Sequence, residues 1–336
     1  MADVWRRRVW QWMALCGAGC SLLPASAALA AGADYPYRPV KLVVPFAPGG
    51  STDIVARVVA DAMQGPLGQS VVVENKAGAG GMVGAEAVAK SAPDGYTVGL
   101  GSISTLAVNP VVLPQVRVHP LTDFAPVLPL ASIPSVFSVR ASTGIHDFQG
   151  FVHAAKQAGD NWSAGSSGVG SIGHLILAAF NRDLGLQLRH IPYKGMGPVV
   201  QSVLSGETQV LSDQYPSSAP HIRNGLLTPF AVSAAQRLPA LPQVPTLAEL
   251  GYPALNNLSI TWFGLVVPAG TPAEVVRKLN AAANTALQQS ALRKRLADLG
   301  VQPLGGTPQQ LQKMVEDTTA QVRYLVQSER IMESAQ

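Results

Sequence analysis

The stretch VVPFAPGGSTD, residues 43–53, sets two glycines and two hydroxyls where an apolar run turns into an amphipathic one. Pro45 and Pro48 stiffen this loop, while Gly49 and Gly50 let the backbone approach a guest closely. Ser51 or Thr52 is placed to cap a helix whose free N–H groups and dipole favour an anion. Asp53 falls in the first helical turn, where it complements the helix charge or reaches the guest. A second element of the same kind is WSAGSSGVGSIGH, residues 162–174, whose Ser- and Gly-rich helix start offers N–H and hydroxyl donors to a carboxylate. Lys194, in Tyr193-Lys194-Gly195, is the basic residue of these loops and a candidate for direct charge pairing. Asp213 ends a strand facing the same place, and a carboxylate there needs a water, a hydroxyl or an ammonium group beside it.

Other chemistries lack their parts. Gly168, Gly170 and Gly173 match the spacing of a dinucleotide fingerprint, but the acidic residue expected some twenty positions on is missing; His190-Ile191-Pro192-Tyr193 stands there. No Gly-Lys-Ser/Thr pattern marks a P-loop. No serine sits in G-x-S-x-G: Ser167 has Val169 two after it, and Ser171 has Val169 two before it. The six histidines are scattered, with no H-E-x-x-H. His174 is left as a partner for a loop serine, which keeps an exported serine hydrolase as a rival reading. Both cysteines, Cys16 and Cys20, lie in the first 30 residues, so no common zinc constellation forms beyond them. Aromatic residues make up only 6% and the one dense basic run beyond residue 30 is Arg293-Lys294-Arg295, which excludes a stacking, basic nucleic-acid surface.

These loops need a frame. Runs at 40–45, 70–74, 96–101, 136–140, 162–165, 186–192, 209–212 and 229–233 read as strands. Helical runs stand between them, at 54–63, 84–90, 148–159, 172–184 and 197–204. The alternation predicts parallel α/β sheets in two lobes with a cleft between them. Residues 110–129, rich in proline, read as irregular chain. The last third reads as helical, with Thr271 capping one helix ahead of Pro272 and Glu274. Residues 1–30 carry Arg6, Arg7 and Arg8, an apolar stretch and Ala28-Leu29-Ala30, the pattern of a cleaved secretory signal. That leader holds three Arg and Asp3, so 24 basic against 20 acidic residues become 21 against 19 beyond it.

With these pieces assembled, the chain resembles the substrate-binding proteins of tripartite tricarboxylate transporters, the Bug family. The resemblance covers nearly the whole chain after the leader. It rests on YPYRPVKLVVPFAPGGSTDIVAR, VVVENKAGAGGMVGAEAVAKSAPDGYT, GSSGVGSIGH, IPYKGMGP, LPALPQVPTLAELGYP and WFGLVVPAGTP in this order. It implies an α/β periplasmic binding protein of type II with two Rossmann-like lobes, residues 31–136 plus 232–336 and residues 137–231. It implies a small carboxylate held by backbone amides, short polar side chains and water, without an arginine clamp or any cofactor, metal or catalytic residue. The matching positions are Phe46, Ala47, Pro48, Gly49, Gly50 and Ser51 in the first loop and Ser166, Ser167, Gly168 and Ser171 in the second. Ser102, Thr105 and Tyr193 join them, and Asp213 falls where the family often has an aspartate. Asp53, His174 and Lys194 complete the candidate set. Ser212 departs from the family's larger residue at that position. The implied role is a monomeric periplasmic receptor feeding one large and one small integral membrane subunit. A receptor that presents its ligand to a sensor is the alternative.

Overall fold

The computed structural model describes residues 35–113 and 115–328; the leader expected at residues 1–30 lies outside them. The described strands are β1 (Val40–Val44), β2 (Val71–Asn75), β3 (Thr97–Ser102), β4 (Phe124–Ile133), β5 (Ser135–Arg140), β6 (Ser163–Ser166), β7 (Arg189–Pro192), β8 (Val210–Gln214), β9 (Leu227–Ser233), β10 (Thr261–Pro268) and β11 (Gln302–Pro303). They form two sheets, ordered β11-β4-β10-β3-β1-β2 and β7-β6-β8-β5-β9. The chain passes from the first sheet to the second through Pro134 and returns between Ser233 and Thr261. The result is a two-lobed α/β molecule.

Each sheet is parallel only where a strand–helix–strand unit builds it. β1 runs parallel to β2 and β3, and β6 to β7 and β8. β10 and β11, and likewise β5, pair antiparallel with their neighbours. The all-parallel expectation is corrected accordingly. So is the reading of 110–129 as irregular, since β4 begins at Phe124 and contains Pro126 and Pro129. Proline cannot donate to a ladder and is tolerated in sheets at bulges. The register of β10 against β4 slips twice, leaving Leu130 and Val127 unpaired beside those two prolines. β10 itself, buried at every position, lies in the third read as helical. The helix there starts at Ala273 without the expected threonine cap, because Thr271 Oγ1 donates back to Pro268 O at 2.8 Å.

Around β1 the core is aliphatic, with Leu42, Val44, Val55 and Val59 fully buried. The second lobe is filled by aromatics: Phe151 stacks on Phe230 at 4.0 Å, and Phe137, Phe148 and Phe180 pack around them. Each core anchors one glycine loop at the end of a buried strand, β1 in the first lobe and β6 in the second. No helix among the described residues is long and apolar enough to cross a membrane.

Candidate functional site

After β1 the chain turns through Pro45 to Gly50 into the Ser51–Leu67 helix. Gly50 is the N-cap, in extended backbone with no side-chain cap, so the expected capping by Ser51 or Thr52 does not occur. The amides of this first turn therefore have no partner within the helix. The loop is braced from behind. Asp53 accepts from Gly49 N (3.1 Å), Arg57 Nε (3.0 Å) and Asn75 Nδ2 (2.9 Å), and Asn75 Nδ2 also donates to Phe46 O (3.0 Å). Burial works against the Asp53 charge, but the hydrogen bonds from Arg57, Asn75 and Gly49 outweigh it and hold its carboxyl below the ordinary value.

The second loop joins β6 to the Ile172–Leu184 helix, capped by Ser171, whose Oγ accepts from His174 N. Ser166 Oγ accepts from Gly168 N (3.1 Å) and hydrogen-bonds His190 Nε2 (2.6 Å). His190 stacks on His174 with ring centres 3.9 Å apart, and His174 Nδ1 accepts from Gly170 N (3.3 Å). Burial, with His174 alongside, pushes the His190 pKa down to about 4, so His190 braces the loop as a neutral ring stacked on His174. The serine–histidine contact is thus Ser166–His190 and not one made by His174. Ser166 is fully buried and already bonded to its own loop, which leaves it unplaced for attack on a substrate.

The two lobes meet along two seams. On one, Ala47 N donates to Lys194 O (3.0 Å), Ser51 Oγ donates to Gln214 O (3.0 Å), and Ser217 N donates to Ser51 Oγ (3.0 Å). On the other, Ile172 N donates to Ser104 Oγ (3.0 Å). Glycine makes the approach possible: a Cβ on Gly197 would lie 2.4 Å from Pro48 O, and one on Gly168 2.8 Å from Gly80 N. Between the seams lies a cavity of ≈ 20 Å³, lined by Phe46, Gly50 and Thr52, by Ser102, Ile103 and Ser104, and by Ser167, Ile172, Met196, Gln214, Thr261 and Phe263. None of these carries a charge.

Of the residues singled out from sequence, Phe46, Gly50, Ser102 and Ser167 line this cavity. Ala47, Pro48 and Gly49 form the loop behind it. Ser51 points its hydroxyl across the seam, and Asp53 serves the brace. Thr105 turns its hydroxyl to Ser102 N (3.0 Å). Ser166, Gly168, Ser171 and His174 shape the second loop. Tyr193 donates N–H to Ser166 O (2.9 Å), and its buried hydroxyl has no partner among the described residues. Lys194 brings its carbonyl to the seam while its side chain is exposed, so its place is that of an acceptor. Asp213 is buried; Ser217 Oγ and Ser218 Oγ donate to its Oδ2 and Gln214 N to its Oδ1 (2.8 Å). Burial pushes its carboxyl up to about 7 in spite of those hydrogen bonds.

Residues missed from sequence are Ser104, Gln214, Met196 and Ser217 at the seams, and Asn75 and Arg57 in the brace. Asn75 had a local signal, a turn-favouring residue closing an apolar strand. Ser104 had none, since its partner Ile172 is 68 positions away.

The model for "Tripartite tricarboxylate transporter family receptor" (TctC) matches residues 55–331. Protein BugT of Bordetella pertussis is 37% identical over 301 residues, covering 89% of this chain and 92% of its own length. Among solved structures, MatC from Rhodopseudomonas palustris with bound malate is 34% identical with a TM-score of 0.82, covering 87% of this chain and 100% of that one. A second R. palustris protein, with adipate, is 35% identical with a TM-score of 0.83, covering 90% and 98%. On a family match and a relative that both span most of its length, the chain belongs to the TctC/Bug family of tripartite tricarboxylate transporter receptors, which bind solutes and do not transform them.

Proposed function

We propose that this receptor captures a small organic carboxylate between its lobes in the periplasm, as a monomer, and hands it to the large and small integral subunits of a tripartite transporter. The acid is a mono-, di- or tricarboxylate or an acidic amino acid. The observation that carries the reading is the charge-free cavity set between two helix N-termini that come from different sheets. A carboxylate there meets amide dipoles and hydroxyls. Each helix end contributes about 0.3–1 kcal/mol and each hydrogen bond about 1 kcal/mol net. Several such bonds with apolar contacts from Phe46, Met196 and Phe263 reach the roughly 8 kcal/mol of micromolar affinity. The relatives with malate and adipate, both dicarboxylates, support the same class.

In this reading the amides of the first loop and the hydroxyls of Ser102, Ser104 and Ser167 touch the acid. Asp53, Ser166, Ser171 and His174 hold the loops that do so. A cavity of ≈ 20 Å³ has about the room of a single water, so loading requires the lobes, 31–136 plus 232–336 and 137–231, to part. The test is native mass spectrometry of the freshly purified chain, followed by a thermal-shift screen of small organic acids. A carboxylate released in near-stoichiometric amount, or a melting point raised by one acid class, is the expected result. An empty protein that no acid stabilises would overturn the reading.

A further inference from the structure

Asp213 and Ser217 stand behind the cavity wall, where a site built of amides has no use for a carboxylate. Ser217 Oγ touches Asp213 Oδ2 on one side and Ser51 Oγ, 2.7 Å away in the other lobe, on the other. Ser51 Oγ also reaches Gln214 O (3.0 Å), and Ser218 Oγ reaches Asp213 Oδ2 (2.8 Å). These are four oxygen–oxygen contacts of 3.0 Å or less, beside a longer one of 3.2 Å between Ser217 Oγ and Gln214 O, and each of the four short ones needs a proton of its own. The hydroxyls of Ser51, Ser217 and Ser218 supply three. The backbone N–H groups of Ser217 and Gln214 are spent on Ser51 Oγ and Asp213 Oδ1. With Asp213 ionised the four short contacts are one proton short, and a buried polar contact left unmade is costly.

We propose that Asp213 is a positioning residue that takes up one proton when the cleft closes, completing a hydrogen-bond chain to Ser51 and coupling closure to pH. Protonated Asp213 donates to Ser217, Ser217 to Ser51, and Ser51 to Gln214 O. The chain then fastens the first residue of the Ser51–Leu67 helix, next to the Gly50 amide at the cavity. The proton comes from solvent as the lobes meet and returns to it as they part. The carboxyl's rise to about 7 is in keeping with that. The groups around Asp213 are Ser217, Ser218 and Gln214 of its own lobe, Val136 paired with it on β5, and Ser51 across the seam. Of the nearest titratable groups, Tyr215 turns its ring to Gly300, His221 and Arg223 lie in the last turn of the Tyr215–Arg223 helix, and Asp53 is paired with Arg57.

The effect on ligand affinity rests on the carboxylate-capture reading; the effect on closure does not. The test is calorimetric titration with adipate at pH 6 and pH 8 on the wild type, Asp213→Asn and Ser217→Ala. A carboxyl at about 7 in the closed form and at its ordinary value in the open one predicts about tenfold tighter binding at pH 6. Asp213→Asn, whose amide donates at every pH, is expected to bind with no pH step, and Ser217→Ala to bind weakly at both. Equal wild-type affinity at the two pH values, or a step that survives in Asp213→Asn, overturns the inference. Adipate that binds at neither pH fails the carboxylate reading as tested with that acid. Closure is then judged by small-angle scattering of the acid-free chain. Its radius of gyration is expected to be smaller at pH 6 than at pH 8 in the wild type and unchanged in Asp213→Asn; no change in the wild type overturns the inference.

Discussion

The two glycine loops share one local plan and are held by opposite electrostatics. Behind the first stands an ionised brace, Asp53 with Arg57 and Asn75; behind the second stands a neutral ring, His190, stacked on His174 and bonded to Ser166. The brace keeps its charges together and away from the cavity, with the Arg57 guanidinium 2.9 Å from the Asp53 carboxylate. The His190 ring brings no charge. Both solutions leave the cavity lined by uncharged residues, so in the carboxylate-capture reading an anion would meet oriented dipoles without a competing carboxylate or a fixed cation.

Closing the seam against the first loop is where the largest effect is expected. Gly197→Ala puts a Cβ 2.4 Å from Pro48 O, and the overpacking should weaken acid binding about 10- to 100-fold. In the open protein the same change sits in a helix, where alanine is favoured, so the melting point should hold or rise. Unchanged affinity would show that the seam is not part of the bound state. Next comes the ionised brace. Asp53→Ala removes hydrogen bonds to a charged group and should lower stability by roughly 1–3 kcal/mol, read by urea unfolding, and loosen the first loop alone in hydrogen exchange.

The neutral brace is distinguished by pH. His190 titrates at about 4 in the fold against an ordinary 6.5, so the folded chain binds fewer protons than the unfolded one between those values. Its contribution is complete above pH 6.5 and lost as the pH falls toward 4. Asp53, held below its ordinary 3.8, contributes above that value and is lost only below it. Between pH 6.5 and 4.5 the wild-type melting point should therefore fall relative to that of His190→Gln, a difference in which the opposite slope of Asp213 cancels. A constant gap would mean that His190 carries no proton linkage. The smallest effect belongs to Lys194→Ala. With an exposed side chain, its loss should change affinity by less than about twofold, in line with the small value of exposed charges. A tenfold loss would put a cation in the site and undo the contrast between the loops.

Both glycine loops, the strands that precede them and the helices that follow are legible in the sequence. Each is a local pattern: an apolar run, residues that allow close backbone approach, then helical periodicity. β4 is not legible, because Pro126 and Pro129 forbid a regular ladder and only the bulges opposite β10 make room for them. Lys194 reads as a charge for an anion, yet the fold uses its carbonyl. Asp213 reads as a cleft carboxylate, yet the fold gives its oxygens to Ser217, Ser218 and the Gln214 amide.

By itself, then, the sequence determined that two helix N-termini would be rich in free amides and hydroxyls, and that no nucleophile or metal pattern would accompany them. Those are properties of residue type and short spacing, set by backbone sterics and side-chain chemistry. Only the tertiary structure decided which groups meet. Ser51 finds Ser217 across 166 positions and Ser104 finds Ile172 across 68, and such pairs depend on how two separate cores dock. Burial followed from the same docking, and burial is what leaves His190 neutral and sets Asp213 where its proton matters.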